Sequence, residues 1–444
     1  MSKIIIAGAG HGGVVAAIKL AKAGHEVIIF EKSRQESLGL PQSDVVEKEA
    51  FVYADIPIPD ECKTVRNEIT FIPLESNVSR FTLPATEEES ILINRKVLIT
   101  YLLSLAEEAG AEIFYGTEII KPIILGNRVC GVKTREQEFY CDLVIDACGV
   151  YSPLRMNLPE YMCVNREIKK YDIVHTYRAY FNKLPNVPDP ETTYNIYVRD
   201  NGSVGFSWLV TEEERIDALI GRFHELDDKE TLEILRGLHE ENAHMGTELV
   251  EGGSFMPIPV CQPLAVLVAD GYAAIGDSAF MTYSIKGSGI AYCIRAGVML
   301  ADCVINDTQG FYDAEHLWEY EKRFFKEIGF SACRIAIVKN LLHYMTAEQL
   351  NDLFKQNIVT TDEVAKVMEE KFDAILTAKG FATVKDKVRL VRDNPLLKEM
   401  FTNIAVWIGR FTVAESSFPN KYDAEDVQKW NERYNTFFDS IRAE

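Results

Sequence analysis

The sequence predicts a doubly wound α/β fold, interrupted by a β-rich region and finished by helices. Three observations carry this. A strand, a glycine loop, a helix and a second strand open the chain. Apolar strand-like runs return after long gaps, at Leu143 and again after Gly271. The text between about residues 164 and 260 alternates apolar and polar positions in the manner of an antiparallel sheet.

In chain order, residues 3–7 are a short β-branched run of the kind found in buried parallel strands. Residues 13–23 carry helix formers at helical spacing and stop at Gly24, and residues 26–30 return as a strand. Between the first strand and the helix, Gly8-Ala9-Gly10-His11-Gly12-Gly13 fits GxGxxG. In such a loop the first glycine allows the tight turn, the second lets backbone approach a pyrophosphate, and the third lets helix and strand pack closely. The helix N-terminus then offers free N–H groups to the anion. Glu31 closes the second strand, where a carboxylate can accept from both ribose hydroxyls, and Lys32 follows it. The opening unit therefore reads as a dinucleotide site, with His11 inside the loop.

Residues 33–94 are irregular, with many prolines and acids; residues 97–109 are an amphipathic helix closed by Gly110. Short strands follow, then the apolar strand at 143–147. Within the β-rich region, residues 177–181 and 194–197 alternate as strands, and a helical pair is expected near 212–222 and 229–240. Beyond Gly310 the chain reads as helical, with an apolar face at Phe324, Phe325, Ile328, Ile335, Ile337, Val338, Leu341 and Leu342. That face reads as the tail's own core, or alternatively as a channel lining or a dimer contact.

Bulk properties narrow the function classes. A chain of 444 residues with 47% hydrophobic content has room for two or three domains. A formal charge of −20 repels nucleic-acid phosphates, so no nucleic-acid partner is expected. No apolar run reaches the roughly 18 residues of a membrane span. The opening lacks a signal-peptide pattern. Nine scattered cysteines without a CxxC pair fit reduced thiols, and with them a cytoplasmic location, better than disulfides or a metal site.

Two further stretches carry a family resemblance. Asp146, Gly149, Ser152 and Arg155 stand at the spacing of D-x-x-G-x-x-S-x-x-R, with Cys148 where a second Asp is common. Gly276-Asp277 ends a strand-like run, and Gly287-Ser288-Gly289-Ile290 opens a helical one; Ser284 stands where a proline is common. Together with the glycine loop, these resemble the flavoprotein class that holds p-hydroxybenzoate hydroxylase, the geranylgeranyl reductases and FixC-like dehydrogenases. The resemblance implies one FAD. Its pyrophosphate and ribose would meet Gly8, Gly10, His11, Gly12, Gly13, Glu31 and Lys32. Arg95, Asp146 and Gly149 would also reach the cofactor. Gly276 and Asp277 would hold the ribityl chain, and Gly287, Gly289 and Ile290 the flavin's pyrimidine edge.

The same resemblance implies a layout. An FAD-binding (Rossmann-like) domain would comprise residues 1–157 and 261–310, with a β-rich substrate domain at 158–260 and a helical region at 311–444. Phe206 and Trp208 fall where reductases of this class carry a cavity-lining aromatic pair; as strand neighbours they share one face, so they pack either a core or a substrate. The loop 40–44 falls where the reductases carry a cysteine, and here has Ser43. The expected function is an FAD-dependent reductase or dehydrogenase of a hydrophobic small molecule, by hydride transfer at flavin N5. An aromatic monooxygenase and a non-catalytic FAD binder are the alternatives. With one GxGxxG in the chain, electrons would come transiently from NAD(P)H or from a carrier protein. No side chain stands out as a catalytic proton donor.

Overall fold

The computed structural model describes residues 1–40, 42–64, 69–73, 81–83, 90–198, 204–355, 358–368, 391 and 395–442. The β-branched opening run forms β1 (Lys3–Ala7), the glycine loop turns into α1 (His11–Lys22), and β2 (Glu26–Glu31) returns parallel to β1. They belong to a six-stranded sheet in the order β18 (Val268–Ala269), β19 (Tyr272–Ala274), β12 (Leu143–Asp146), β1, β2, β8 (Glu112–Tyr115). Neighbours run parallel except at the β18–β19 edge. Ile4, Ile5, Ile6, Val144 and Ile145 are wholly buried, as strands covered on both faces must be. α1 packs against α3 (Arg95–Glu108) and α5 (Ile290–Asn306).

The irregular stretch before α3 is more structured than its composition suggests. It contains β3 (Ser43–Glu47), α2 (Lys48–Ala54), β4 (Lys63–Thr64) and β7 (Ser90–Asn94), the strands forming a small sheet in the order β3-β7-β4. Pro41 of the loop at 40–44 lies outside the described residues. Before β12, the chain forms a second small sheet of β9 (Ile119–Leu125), β10 (Arg128–Thr134) and β11 (Glu138–Tyr140), whose Phe139 ring packs 4.5 Å from Phe30.

The β-rich region forms most of a seven-stranded sheet. Its order is β17 (Met245–Pro259), β13 (Ile173–Lys183), β16 (Arg215–Arg222), β15 (Gly205–Thr211), β14 (Tyr194–Val198), β5 (Ile69–Pro73), β6 (Phe81–Leu83). Two expectations are corrected here. The sheet borrows β5 and β6 from the irregular stretch, and β5 pairs in parallel with β14. Residues 215–222 are a strand, not a helix. β16 lies between β13 and β15 with both faces covered, so it lacks the exposed polar positions that betray a strand in sequence.

Side-chain alternation gives this sheet two different faces. On one, Ala179, Phe181, Leu209, Ile216, Ala218 and Ile220 pack on Ile234, Leu235 and Leu238 of α4 (Asp228–Glu241). Asp227 starts that helix by accepting from Glu230 N–H at 2.8 Å. The other face looks toward the nucleotide-type sheet.

The tail comprises α6 (Ala314–Phe324), a π-helical turn (Phe325–Gly329), α7 (Phe330–Tyr344), α8 (Ala347–Lys355), α9 (Thr361–Met368), α10 (Pro395–Glu415) and α11 (Ala424–Ser440). Its apolar face does not form a core of its own. Phe324, Phe325, Ile328, Ile335 and Ile337 join the core of the parallel sheet. Trp430 Nε1 and Tyr434 OH donate to the carbonyls of Ala265 and Pro263, each at 2.8 Å, and pin α11 to the chain entering β18. Among the described residues of the tail, only Met345, Leu353, Ile358, Val391 and Leu397 make a separate small cluster.

Candidate active site

The glycine loop lies where β1, β12 and α1 converge. Gly8 has φ +90°, and a Cβ there would lie 2.5 Å from the Ala147 carbonyl, so only glycine turns the chain at this point. A Cβ at Gly13 would lie 2.8 Å from Ala147 Cβ and 2.9 Å from Ile6, which is the close helix–strand approach read from the sequence. α1 starts without any side-chain cap, so its first N–H groups face the cavity that this loop borders. Glu31 ties the loop to β2: its carboxylate accepts from Ala9 N at 2.8 Å and from Ser33 N at 2.7 Å. Gly8, Gly10, His11, Gly12, Gly13, Glu31 and Lys32 all line one cavity.

The other two motifs reach the same cavity by different parts. Gly149, at φ +86°, borders it, whereas Asp146 does not. The Asp146 carboxylate is consumed inside the turn, accepting from Cys148 N at 3.0 Å, from Tyr272 OH at 2.6 Å and from Ser152 Oγ. Arg155 is likewise buried, donating to the carbonyls of Ser278, Val150 and Arg166 at 2.6, 2.5 and 3.0 Å. The expectation of cofactor contact at Asp146 is therefore corrected: with Ser152 and Arg155 it shapes the backbone that presents Gly149.

Gly276 and Asp277 border the cavity after β19, and Gly287, Gly289 and Ile290 border it at the start of α5. Among the described residues, the Asp277 carboxylate accepts only a long bond from Thr282 Oγ1, at 3.4 Å. Burial pushes its carboxyl pKa up, and the nearby Arg95 guanidinium opposes that shift. Arg95 opens α3, its backbone N–H donating to Gln42 O at 2.7 Å and its side chain pairing with Asp44 at 2.9 Å. α5 also lacks a side-chain cap, so a second uncapped helix start faces this space.

The opposite wall is the inner face of the seven-stranded sheet. Val174, Thr176 and Arg178 of β13, Asp217 and Leu219 of β16, Phe206, Trp208 and Val210 of β15, and Tyr194, Ile196 and Val198 of β14 all border the cavity. Phe206 and Trp208 thus lie on the cavity face rather than in the core under α4, with ring centroids 6.2 Å apart. Val338 and Leu342 of α7, with Ile404 and Ile408 of α10, extend the apolar lining. The cavity encloses about 2610 Å³, well above the roughly 300–1,000 Å³ of a single small-molecule pocket, so it can hold a dinucleotide and an apolar ligand together.

A buried ion network joins the two walls. Arg178 binds Asp217 through two nitrogens, at 2.9 and 2.6 Å, and reaches Asp44 at 3.1 Å and Ser43 O at 2.5 Å. Asp44 in turn holds Arg95. Strand spacing alone could have suggested the Arg178 and Asp217 faces, but nothing in the sequence paired them across the sheet.

Several polar atoms on this lining are buried and lack a hydrogen-bond partner among the described residues: His11 Nε2, both amide atoms of Gln42, Trp208 Nε1 and Ser284 Oγ. Buried polar groups normally find partners, so these fit a ligand rich in donors and acceptors. His11 is neutral: burial and then the Arg95 charge push its pKa down to about 3, against a smaller opposing pull from Asp44. The cavity thiols Cys148 and Cys293 are pushed far up by burial and are poor nucleophiles. Ser43 Oγ is within 3.2 Å of Arg215, and Tyr283, which does not itself border the cavity, donates to the Val367 carbonyl.

Comparison with known proteins agrees with this geometry. The pyridine nucleotide-disulphide oxidoreductase family matches residues 2–183. A digeranylgeranylglycerophospholipid reductase of Sulfolobus acidocaldarius is 21% identical over 90% of this chain and 92% of its own. A geranylgeranyl bacteriochlorophyll reductase-like protein of Thermoplasma acidophilum has the same fold, with a TM-score of 0.70 at 19% identity over 88% of this chain and 98% of its own. A probable FAD-dependent monooxygenase of Pseudomonas aeruginosa follows at a TM-score of 0.57 and 17% identity, over 80% of this chain and 99% of its own. No helix among the described residues is long and apolar enough to cross a membrane. The chain is thus an enzyme similar to the flavin-dependent oxidoreductases of the geranylgeranyl reductase-like class.

Proposed function

We propose that this enzyme binds FAD and reduces or dehydrogenates a hydrophobic small molecule. The observation that carries the reading is the shared cavity: the glycine loops border one side of it and the apolar sheet face with Phe206 and Trp208 borders the other. FAD, when bound, supplies hydride chemistry at its N5.

The chain's residues supply the rest. Gly8, Gly10, Gly12 and Gly13 with the start of α1 would hold the pyrophosphate, His11 and Lys32 flank it, and Glu31 would accept from the ribose. Asp277 would accept from ribityl hydroxyls, with Arg95 and Gly276 beside it. Gly287, Gly289 and Ile290 would bring the uncapped start of α5 to the pyrimidine edge, where a positive helix end favours negative charge. Gly149 borders the cofactor side without a polar side chain. Phe206, Trp208 and Leu219 exclude water from the substrate side. The electron donor is NAD(P)H, bound transiently, or a carrier protein. We place the protein in the cytoplasm, a reading supported by nine cysteines none of which is in a disulfide.

Two measurements test this. The purified chain should carry stoichiometric FAD, and Asp277→Ala should weaken FAD binding by about 1.5–3 kcal/mol, the scale of a hydrogen bond to a charged group. The photoreduced protein should reoxidise slowly in air. Rapid reoxidation with a transient flavin–oxygen adduct in the presence of an aromatic substrate would assign the monooxygenase activity instead.

A further inference from the structure

The strands of the seven-stranded sheet bring several polar side chains to the cavity, and most of them have partners. Thr176 Oγ1 donates to the Met256 carbonyl at 2.9 Å, and Thr211 Oγ1 lies 2.9 Å from His244 Nε2. Arg178 and Asp217 bind each other, and Arg215 pairs with Glu212 and Glu251 at 2.7 and 2.5 Å. Two polar side chains on this lining make no hydrogen bond to the described residues, Trp208 through Nε1 and Tyr194 through its hydroxyl. The Trp208 nitrogen is sealed, whereas Tyr194 is half-buried and its hydroxyl is open to the cavity.

Packing fixes where this hydroxyl stands. Tyr194 begins β14 opposite Val210, while Ile196 pairs with Trp208, so Tyr194 and Trp208 are diagonal neighbours on one face. Their rings meet edge to face with centroids 6.1 Å apart, and the Arg178 guanidinium carbon lies 5.2 Å from the Trp208 ring. A tyrosine held in this way usually finds a partner for its O–H. The charges around it restrict what that partner can be. Arg178 binds Asp217 and Asp44, Arg95 binds Asp44, and Arg215 binds Glu212 and Glu251. Each of these cations is already matched by a carboxylate, so an anion entering here would be desolvated without gaining an unmatched positive charge. Burial and then the Asp217 charge hold the Tyr194 pKa above the ordinary tyrosine value of about 10, Arg178 opposing and Asp44 adding to the shift. The phenol therefore keeps its proton at neutral pH and offers a neutral donor.

We propose that the Tyr194 hydroxyl is a hydrogen-bonding anchor on the substrate side of the cavity, and that it takes an uncharged oxygen of the ligand, a carbonyl or a hydroxyl. The wall around it suits the remainder of such a molecule. Ile196 and Val198 follow Tyr194 along β14, Val210 stands opposite it, and Phe206 and Trp208 lie on the next strand, all on the lining. An apolar ligand with one neutral oxygen thus finds a donor at Tyr194 and apolar contact along β14 and β15. The inference rests on the reading of this cavity as the site of an apolar substrate.

The test is binding, not turnover. FAD-loaded full-length protein and its Tyr194→Phe variant are titrated calorimetrically with 2-octanone, 2-octanol, 2-chlorooctane and, at neutral pH, octanoate. Tyr194→Phe removes one oxygen and keeps the ring. It should weaken the ketone, the alcohol or both by about threefold to tenfold, the scale of one neutral hydrogen bond, and leave the chloride within about twofold. The oxygen compound that loses more identifies carbonyl or hydroxyl. Octanoate should bind the unmodified protein more weakly than 2-octanol. Flavin content should be the same in both proteins. Equal losses for the chloride and both oxygen compounds, or no loss for any, overturn the anchor alone, as does tighter binding of octanoate than of 2-octanol. Loss of flavin from folded Tyr194→Phe assigns the hydroxyl to the cofactor and also overturns it. Failure of all four ligands to bind the unmodified protein overturns the apolar-substrate reading and this inference with it. Should Tyr194→Phe not fold, the infrared carbonyl stretch of 2-octanone bound to the unmodified protein decides: a stretch below its value in hexane supports the anchor, and an unshifted one overturns it.

Discussion

The two sides of the cavity are built by different means. On the side of β1, β12 and β19 the wall is largely main chain: glycines, uncapped helix starts and two carboxylates at strand ends. On the side of the seven-stranded sheet and α7 the wall is side chain, set by strand alternation and apolar bulk. The first side admits few substitutions, because a Cβ at Gly8 or Gly12 would meet backbone, and Gly149, Gly276 and Gly287 hold a positive φ. The second side asks only for apolar residues of suitable size, which many sequences satisfy. On the reading proposed above, the first geometry suits a cofactor and the second an apolar substrate.

The largest effect that would separate the sides is loss of the cofactor. Gly8→Val combines an unfavourable positive φ with a Cβ 2.5 Å from the Ala147 carbonyl. It should remove flavin from the purified chain, read as visible absorbance per protein, and destabilise the fold by roughly 1–3 kcal/mol or more. Trp208→Leu, on the opposite wall, should keep stoichiometric flavin. Loss of flavin in both variants would mean that the sides are not separable.

Next in size is the ion network that joins them. Asp217→Asn leaves Arg178 buried with Asp44 as its remaining carboxylate. Breaking a buried pair by removing one partner costs about 3–5 kcal/mol, so denaturant unfolding should show a loss at the lower end of that range, since Asp44 stays. Flavin content of the folded fraction should hold. A change below about 0.5 kcal/mol, the scale of ordinary surface substitutions, would show that the network contributes geometry rather than stability.

The same contrast explains what could be read from the sequence. The convergence of Gly8, Gly13, Glu31, Gly276 and Asp277 on one cavity was legible because each answers a narrow backbone or charge requirement at a fixed spacing from a strand. Asp146 was misread for a related reason: its motif spacing is real, but its carboxylate closes the turn through Ser152 and Tyr272 instead of facing the cavity. β16 was read as a helix because both of its faces are covered, and β5 and β6 were missed because they join a sheet formed mostly by residues more than a hundred positions later.

The smallest expected effect concerns His11, and it probes the electrostatics of the main-chain side alone. His11 begins α1, where burial and the Arg95 charge hold its pKa at about 3. In the unfolded chain the same imidazole titrates near its ordinary value of roughly 6.5. Between those values the unfolded state binds more protons than the native state, so the His11 contribution to stability is complete above about pH 6.5 and declines as the pH falls toward 3. One proton of difference is worth at most about 1.4 kcal/mol per pH unit. Carboxylates add a slope of the same sign, so the measurement is a difference between proteins. Urea unfolding at about pH 6 and about pH 5 should show the native protein losing roughly 1 kcal/mol more over that step than His11→Gln, whose amide does not titrate. Parallel losses in the two proteins would mean that His11 gains enough water or a counter-charge to protonate in place. The glycine-loop side would then tolerate a new cation beside Arg95, contrary to the desolvated environment that the structure gives it.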